Sequence, residues 1–277
     1  MINAGLGSPG QHFPEGTDMR QTISCAIVVF NEERNIREAL NSVAWMDEII
    51  AVDSYSTDKT VEICREFTPH VFQRKWNGFG EQKNSAIDRA TSDWVFILDA
   101  DERVSDDLRA EIQRVLETST PVGPVAYSLP RKNYYYGKWI RWGGVYPDYQ
   151  LRLFRRGVGR LDDSEPHNRF VFEGLHGDLT HALDHYTERT IEDHFKKFNN
   201  FTTLAARERG KTKKRVRWSD LTIRPLFTFW KYYFKRHGYR DGVRGLIISV
   251  FASMYTFVKY AKLWDTTRQG TAHPDAK

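Results

Sequence analysis

The sequence predicts an α/β protein with a mostly parallel sheet sandwiched between helices, followed by an amphipathic helical extension. In the first hundred residues, short apolar runs alternate with segments of about ten residues that have helical spacing. Several of these runs are apolar at nearly every position, which is typical of parallel strands buried on both faces. The extension is predicted from basic residues interleaved with aromatic ones near the C-terminus.

The predicted elements follow one another with short connections. Polar turns separate them, and Thr57 or Asp58 can cap the second helix. Strands that alternate with helices imply right-handed crossovers between parallel neighbours. The predicted strands are 23–30, 48–53, 70–72 and 94–98, and the predicted helices between them are 36–43, 59–67 and 81–91.

Composition places the chain among globular proteins. Its 277 residues are 40% hydrophobic and 28% charged, so the chain can bury a large core and is not disordered. Cys25 and Cys64 fall in predicted buried elements, and no zinc-type Cys/His spacing is present, which indicates reduced core thiols in a cytosolic protein. Residues 1–20 are rich in Gly and Pro and lack the apolar segment of a signal peptide, so we expect a flexible tail.

Asp99 and Asp101 follow the fourth predicted strand. Side chains separated by one intervening residue along a strand point the same way, so both carboxylates can converge on one hard cation. A cation held by two carboxylates keeps open positions for the phosphate oxygens of a substrate. The alternative is a solvated turn, or an N-cap for a helix that begins near Ser105.

Other strand ends of the predicted sheet are also polar or acidic. The first strand ends in Asn31 and Glu32, and the second ends in Asp53. Ligands of open α/β sheets bind at this edge, and a metal ion would reconcile clustered carboxylates with a diphosphate. Lys83 can add a positive charge. Each acid taken singly is also explained by a turn or a helix cap, and no dinucleotide or P-loop glycine fingerprint is present.

These motifs together resemble family 2 glycosyltransferases of the GT-A (Rossmann-like) fold, from about residue 23 to the C-terminus. The resemblance is closer to the bacterial subgroup that contains the lipopolysaccharide inner-core β-1,4-glucosyltransferase. It is carried by the segments 28–36 (VVFNEERNI), 52–60 (VDSYSTDKT), 76–86 (WNGFGEQKNSA), 98–102 (LDADE) and 146–154 (YPDYQLRLF).

The resemblance implies a donor site for a UDP-sugar. Asn31, Glu32 and Asp53 are expected to contact the uridine and ribose, and Lys83 to lie near the nucleotide. Asp99 is also expected to contact the sugar nucleotide at this donor site.

The resemblance also implies a divalent metal. Asp99 and Asp101 are expected to hold Mg²⁺ or Mn²⁺ against the diphosphate. His185 resembles the late histidine that completes the metal site in this fold, and imidazole is an ordinary ligand for Mn²⁺.

The second half of the chain is expected to bind the acceptor. Residues 134–144 are dense in aromatic side chains, which can stack on sugar rings or fill the core of a β-hairpin. Asp148 resembles the catalytic base of GT-A enzymes. Relatives commonly carry His-Glu where this chain has His167 and Asn168, so Asp148 is the first candidate for the base and Glu165 the reserve. Arg152 and Arg155 are candidates for neutralising acidic groups on a substrate.

The C-terminal section is strongly basic. Arginines and lysines far outnumber acids between residues 207 and 262, and aromatic residues are interleaved with them. The apolar run 246–258, of about 13 residues, is too short to span a bilayer. This composition favours a helical region on an anionic membrane surface. There are two alternatives, a helix that packs on the core and a surface that binds nucleic acid. We expect no nucleic-acid partner.

The resemblance implies an inverting, metal-dependent hexosyltransferase that uses a UDP-sugar, with glucose as the first candidate. The expected acceptor is a lipopolysaccharide core heptose or a similar glycolipid. The alternatives are transfer to polyprenyl phosphate, or a non-catalytic module that binds a sugar nucleotide or a membrane. The expected organisation is a tail (1–20), a catalytic domain (21–205) and a membrane-associating region (206–277), located on the cytoplasmic face of the inner membrane.

Overall fold

The computed structural model describes residues 20–162, 168–212 and 215–268. The predicted tail, apart from residue 20, and the end of the chain after residue 268 lie outside the described residues.

The first part of the described chain alternates strands and helices as predicted. Its elements are β1 (Ile23–Val29), α1 (Ile36–Val43), β2 (Glu48–Asp53), α2 (Thr60–Phe67), β3 (Val71–Gln73), α3 (Phe79–Ile87), β4 (Trp94–Asp99), β5 (Glu102–Arg103) and α4 (Asp106–Thr118). Ser105 caps α4, because its side chain accepts a hydrogen bond from the backbone N–H of Leu108 at 3.3 Å.

Short strands and then helices form the second part. These elements are β6 (Ala126–Tyr135), β7 (Lys138–Trp139), β8 (Asp148–Arg155), β9 (Gly159–Leu161), β10 (Phe170–Phe172), β11 (His176–Asp178), β12 (Leu183–Glu188), α5 (Ile191–Thr212), α6 (Trp218–Leu221), α7 (Ile223–Trp230) and α8 (Gly242–Arg268). A π-helical turn, Lys231–Lys235, and a 3₁₀ turn, Gly238–Asp241, connect α7 to α8.

The main sheet has a parallel half and a mixed half. Its strand order is β3-β2-β1-β4-β8-β6-β12-β5, and β7 and β11 also pair with β6. Strands β3, β2, β1 and β4 are mutually parallel, whereas β8 runs antiparallel to both β4 and β6. This mostly parallel sheet with helices on both faces confirms the predicted fold class.

Alternate residues of the central strands pack on opposite faces of the sheet. Cys25 and Ile27 face a core that contains α1, α2 and α4, while Ala26 and Ile97 face a second core that contains α3. Cys64 also lies in the first core, and both thiols are free and buried, as predicted. A strand buried on both faces must be apolar at successive positions, which is why these strands read as continuous apolar runs.

The C-terminal helices pack on one another beside the main sheet. Helix α8 contacts α5 and α7, and Tyr260 and Leu263 of α8 are buried with Ala206 of α5. The predicted boundary between the catalytic domain and the membrane-associating region, at residues 205 and 206, lies within α5.

Helix α8 is longer than the apolar run predicted. The run 246–258 occupies the middle of a helix of 27 residues. Within the described residues, one helical segment, Gly238–Arg268, is long and apolar enough to cross a membrane by length and composition alone. Beyond the apolar stretch, Thr266 and Thr267 bond to the carbonyl oxygens of Lys262 and Leu263 one turn earlier, so their hydroxyl groups are satisfied within the helix.

Candidate active site

The candidate site lies at the carboxyl edge of the parallel strands. Asp53 ends β2 beside Val29 of β1, and Asp99 ends β4 beside Val28. The strand register therefore places these two carboxylates on either side of β1, at the edge where α/β sheets bind ligands.

Asp99 is held between two cations. Lys83 of α3 places Nζ 2.6 Å from Oδ1, and Arg152 of β8 places Nη2 2.7 Å from Oδ2. Burial alone would raise the pKa of Asp99, but Arg152 and Lys83 hold it well below its usual range. Asp99 is therefore ionised; the expected position of Lys83 near a nucleotide stays a prediction.

Glu102 connects Asp99 to the mixed half of the sheet. Its side chain is fully buried, and Oε1 lies 2.5 Å from Arg152 Nη2 and 3.2 Å from Arg131 Nη1. Its other oxygen accepts the backbone N–H of Asp99 at 3.0 Å. Each lone pair of a buried carboxylate that finds a donor lowers the cost of burying its charge.

Asp148 lies at the other end of this network. Arg131 donates to Oδ2 from Nη2 at 2.6 Å and from Nε at 3.0 Å, and Gln150 donates to Oδ1 at 2.8 Å. Burial opposes ionisation, yet Arg131 and these hydrogen bonds lower the pKa of Asp148. We call the alternating chain of ion pairs the Glu102 network; it consists of Lys83, Asp99, Arg152, Glu102, Arg131 and Asp148.

His185 lies on β12, with one ring nitrogen fixed and the other facing Asp101. Its Nδ1 lies 2.6 Å from Oδ1 of Asn133, and an amide oxygen can only accept, so Nδ1 donates to it. Nε2 lies 3.5 Å from Oδ1 of Asp101. Asn133 also donates to Oδ2 of Asp148 at 3.4 Å, so it connects the His185 side of the site to the candidate base.

Asp101 has a second neighbour that the sequence did not indicate. Lys197 of α5 places Nζ 3.2 Å from Oδ2 of Asp101 and 3.0 Å from the carbonyl oxygen of Thr187. Burial would raise the pKa of Asp101, but His185 and Lys197 lower it. The carboxylate is therefore ionised, with Lys197 on one oxygen and His185 facing the other.

Asp101 and His185 fit a divalent cation as a pair of donors. A carboxylate oxygen faces Nε2 of an imidazole ring that Asn133 orients through Nδ1, which is how proteins commonly position a histidine ligand. Within the described residues, no group of three or more His, Cys, Asp and Glu side chains forms a site that could hold a metal. Asp99 is engaged by Lys83 and Arg152, so its role as a metal ligand stays a prediction.

The predicted uridine and ribose contacts lie beside this edge. Asn31 adopts a left-handed conformation (φ 54°), and its Oδ1 accepts the backbone N–H of Thr57 at 2.8 Å. Asp53 is fully buried and accepts from the backbone N–H of Ser56 at 3.0 Å and from Gln73 at 3.1 Å. These two residues build the polar turn after β2, and their contact with a nucleotide stays a prediction.

Glu32 differs from its neighbours in its electrostatics. Burial, together with the charges of Asp101 and Asp58, raises its pKa, although Asn35 donates to its carboxylate at 2.7 Å and Lys197 opposes the shift. The raised pKa of Glu32 shows that several carboxyl groups lie close together at the strand ends.

Glu165, the reserve candidate for the base, lies outside the described residues, and so does His167. Asn168, which stands where relatives carry Glu, donates to the carbonyl oxygen of Asp162 at 2.8 Å and lies against Gly80, where a Cβ would collide with it.

The aromatic segment 134–144 forms a hairpin. Tyr136 and Gly137 turn β6 into β7 with positive φ, and Tyr134 stacks on Tyr186 at 4.8 Å. The alternative of a β-hairpin is thus what the structure shows for 134–139, while the expected contact with a sugar ring stays a prediction.

The interpretation of Arg152 and Arg155 as substrate-neutralising residues does not match the geometry. Arg152 is buried in the Glu102 network. Arg155 pairs with Trp94, at the opposite end of β4 from Asp99, and stacks on its ring at 4.9 Å. Trp94 is five residues before Asp99 on β4, which is roughly 16 Å along the strand, so Arg155 is too far away to serve the same edge.

Four site residues escaped sequence reasoning, namely Glu102, Arg131, Asn133 and Lys197. The sequence signal for Glu102 is its position directly after Asp101 in the acidic segment. The structure pairs Glu102 into the sheet opposite His185, and a buried acid there needs a partner. The other three come from β6 and α5, and their partners are distant in the sequence, so no local pattern identifies them.

Comparison with known proteins defines the class. The sequence model of the family described as Glycosyl transferase family 2 matches residues 24–183. Because the match spans more than half of the chain, this protein belongs to glycosyltransferase family 2. The predicted family and enzyme class are thereby confirmed.

Two bacterial proteins are similar to this chain over most of its length. Lipopolysaccharide core biosynthesis glycosyltransferase LpsC of Rhizobium meliloti (strain 1021) is 30% identical over 249 residues, covering 87% of this chain and 92% of LpsC. Uncharacterized glycosyltransferase RC0292 of Rickettsia conorii is 29% identical over 262 residues, covering 90% of this chain and 92% of that protein. The crystal structure of S. aureus TarS 1-349 in complex with UDP-GlcNAc covers 91% of this chain and 93% of that chain, with 13% identity and a TM-score of 0.47.

Replacing Glu102 tests the network. Glu102→Gln would leave the buried Arg152 and the half-buried Arg131 without a shared carboxylate, and breaking a buried ion pair costs about 3–5 kcal/mol of unfolding free energy. Urea unfolding of the purified protein measures this loss. Glu38→Gln is the matched control, because Glu38 pairs with Arg103 from an exposed position, and surface pairs contribute about 1 kcal/mol or less. Equal losses in the two variants would contradict the central role of Glu102.

Proposed function

We propose that this glycosyltransferase is an inverting, metal-dependent enzyme that moves a hexose from a UDP-sugar to a lipopolysaccharide core heptose or a similar glycolipid. Glucose is the first candidate for the sugar. The observation that carries the proposal is the Glu102 network, which holds the predicted donor-site carboxylate Asp99 and the predicted base Asp148 in one structure. LpsC, a relative named for lipopolysaccharide core biosynthesis, supports the choice of acceptor.

Asp148 is the proposed base. Its carboxylate accepts the proton of the acceptor hydroxyl as that oxygen attacks the anomeric carbon from the face opposite the diphosphate. The lowered pKa of Asp148 keeps it ionised at neutral pH, so it is ready to accept the proton. A single in-line displacement inverts the anomeric centre and requires no covalent nucleophile.

Asp101 and His185 are the proposed metal ligands. Mg²⁺ or Mn²⁺ bound there would stabilise the negative charge that develops on the leaving diphosphate. Asn133 orients His185, and Lys197 supplies a positive charge beside Asp101. Lys83 adds a further cation at Asp99.

A surface on α7 and α8 supports membrane association. Apolar side chains are exposed along both helices, including Ile223, Leu226 and Phe227 on α7 and Val243 on α8. Lysines and arginines flank them, which suits the interface of an anionic bilayer. We propose that this face contacts the cytoplasmic side of the inner membrane, where a glycolipid acceptor is embedded.

Asp101→Asn tests the metal site. The variant keeps the shape of the side chain but loses the charge that would bind the cation, so we expect transfer from UDP-glucose to core-truncated lipopolysaccharide to fall by a factor of about 100 or more. Radiolabel incorporation across a Mn²⁺ titration measures the effect. Asp178→Asn, an exposed residue of β11, is the control. Full turnover by D101N would rule out the metal mechanism.

Asp148→Asn separates the two classes of acceptor. Loss of a general base lowers transfer to a hydroxyl by about 10²–10⁴-fold, whereas a polyprenyl phosphate oxygen is already an anion and needs no base. Transfer is therefore measured with both acceptors, using Tyr149→Phe as the control at an exposed neighbouring position. Unchanged turnover of D148N with polyprenyl phosphate as the preferred acceptor would establish the alternative.

Leu226→Glu tests the membrane surface. A charge at an exposed α7 position should weaken sedimentation of the full chain with phosphatidylglycerol vesicles at low salt by about tenfold, because burial of a leucine side chain contributes about 1.5–3 kcal/mol. Val122→Glu places the same charge at an exposed apolar residue in the turn before β6. Val122→Glu is the control and should sediment like the native protein. If Leu226→Glu also sediments like the native protein, α7 is not the contact surface.

A further inference from the structure

A cavity of about 430 Å³ opens next to the proposed base. One wall is the segment that precedes β8, with Arg141, Trp142 and Tyr146, and the other wall is Arg236 and His237 after the π-helical turn. Pro147 also lines the cavity, and it is bonded directly to Asp148. A group bound there would therefore lie on the side of the site that the proposed function assigns to the acceptor.

The cavity carries positive charge that the described part of the protein leaves uncompensated. Among the described residues, no carboxylate lies within ion-pair distance of Arg141, Arg236 or the adjacent Arg240. Asp241, which follows Arg240 in the sequence, accepts the backbone N–H groups of Arg141 and Trp142 at 3.4 and 2.8 Å. Its charge is thus used to hold the loop in place.

The guanidinium groups are positioned by stacking. Arg141 lies over the ring of Trp139 at 4.2 Å, Arg236 over Tyr232 at 5.2 Å, and Arg240 over Trp142 at 4.5 Å. Stacking restrains a guanidinium without using its N–H donors, which remain free for a planar or tetrahedral oxyanion.

The backbone around the cavity is shaped to bring its two walls together. Gly144 has φ 73°, and a Cβ there would collide with the side chain of Arg236. His237 is left-handed (φ 59°), and the N–H of Gly143 donates to the carbonyl oxygen of Arg236 at 2.8 Å. The arginine therefore lies directly against the loop that leads into Asp148.

We propose that this cavity is an acceptor subsite for an anionic group, a phosphate or a carboxylate, carried on the sugar next to the reacting hydroxyl. Arg141 and Arg236 donate to its oxygens, and Trp142 with Tyr146 covers the apolar face of the sugar ring. The inference rests on the proposed function, since it identifies the class of acceptor that the same site selects.

Calorimetry with glucose 6-phosphate and glucose as probes tests the subsite. Saturating UDP is present, so that the phosphate probe cannot occupy the donor site. The full-length protein should bind the phosphate at least tenfold more tightly than the neutral sugar, and the double variant Arg141→Gln/Arg236→Gln should lose that preference. Arg65→Gln, an exposed arginine of α2, should keep it.

Further measurements distinguish the possible failures. UDP binding is measured first: its absence contradicts the proposed function, whereas intact UDP binding with no preference for the phosphate overturns the subsite alone. If the Gln variant unfolds, Arg236→Lys replaces it; this variant keeps the charge but loses the planar fork, and it should bind the phosphate more weakly than the native protein.

A vesicle arm separates an acceptor phosphate from a phospholipid headgroup. Sedimentation with phosphatidylglycerol and phosphatidylcholine vesicles is compared for the native protein and the double Gln variant. Unchanged sedimentation together with lost preference for glucose 6-phosphate supports the acceptor subsite. Lost sedimentation with retained preference for the sugar phosphate overturns it and assigns the arginines to lipid headgroups.

Discussion

The buried carboxylate of Glu102 is the constraint on which the site depends. A fully buried charge is tolerated only when its partners are close, and here Arg131, Arg152 and the backbone N–H of Asp99 surround it. These partners come from β6, β8 and the end of β4. The β4–β8 ladder joins the parallel half of the sheet to the mixed half, and Glu102 ties the ends of these strands together, between Asp99 and Asp148.

Charge alternation explains how so many ionisable groups share one edge. Each acid of the Glu102 network has at least one cation beside it, so Asp99 and Asp148 both keep lowered pKa values despite burial. Fixed charges of this kind need little rearrangement during a reaction, which is the main electrostatic advantage of a protein site over water. The same alternation leaves Asp101 and His185 as the pair whose donor atoms face each other without an intervening cation.

The sequence was sufficient for the parallel half because its information is local. Apolar runs, helical spacing and polar strand ends predicted β1 to β4, and the register then necessarily gathered Asp53 and Asp99 at one edge. The mixed half depends on pairings between distant segments, such as Lys197 with Asp101 and Asn133 with His185. No periodicity encodes such contacts. The apolar run in α8 ends at Lys259 because lysines interrupt the hydropathy pattern, yet the helix continues, with Lys259 over the ring of Tyr255 and Lys262 donating to Asn199 of α5.

The C-terminal helices contribute to the catalytic face as well as to the exposed apolar surface. Asp241 fastens the loop at Arg141 and Trp142, and this loop leads into Asp148. The turns that connect α7 to α8 thus form one wall of the acceptor-side cavity, while α7 itself exposes Ile223 and Leu226. Because these features belong to one packed unit, contact of α7 with a bilayer would hold the cavity at a fixed position relative to the membrane. A glycolipid acceptor could then reach Asp148 without leaving its leaflet, which relates the membrane surface to the choice of acceptor.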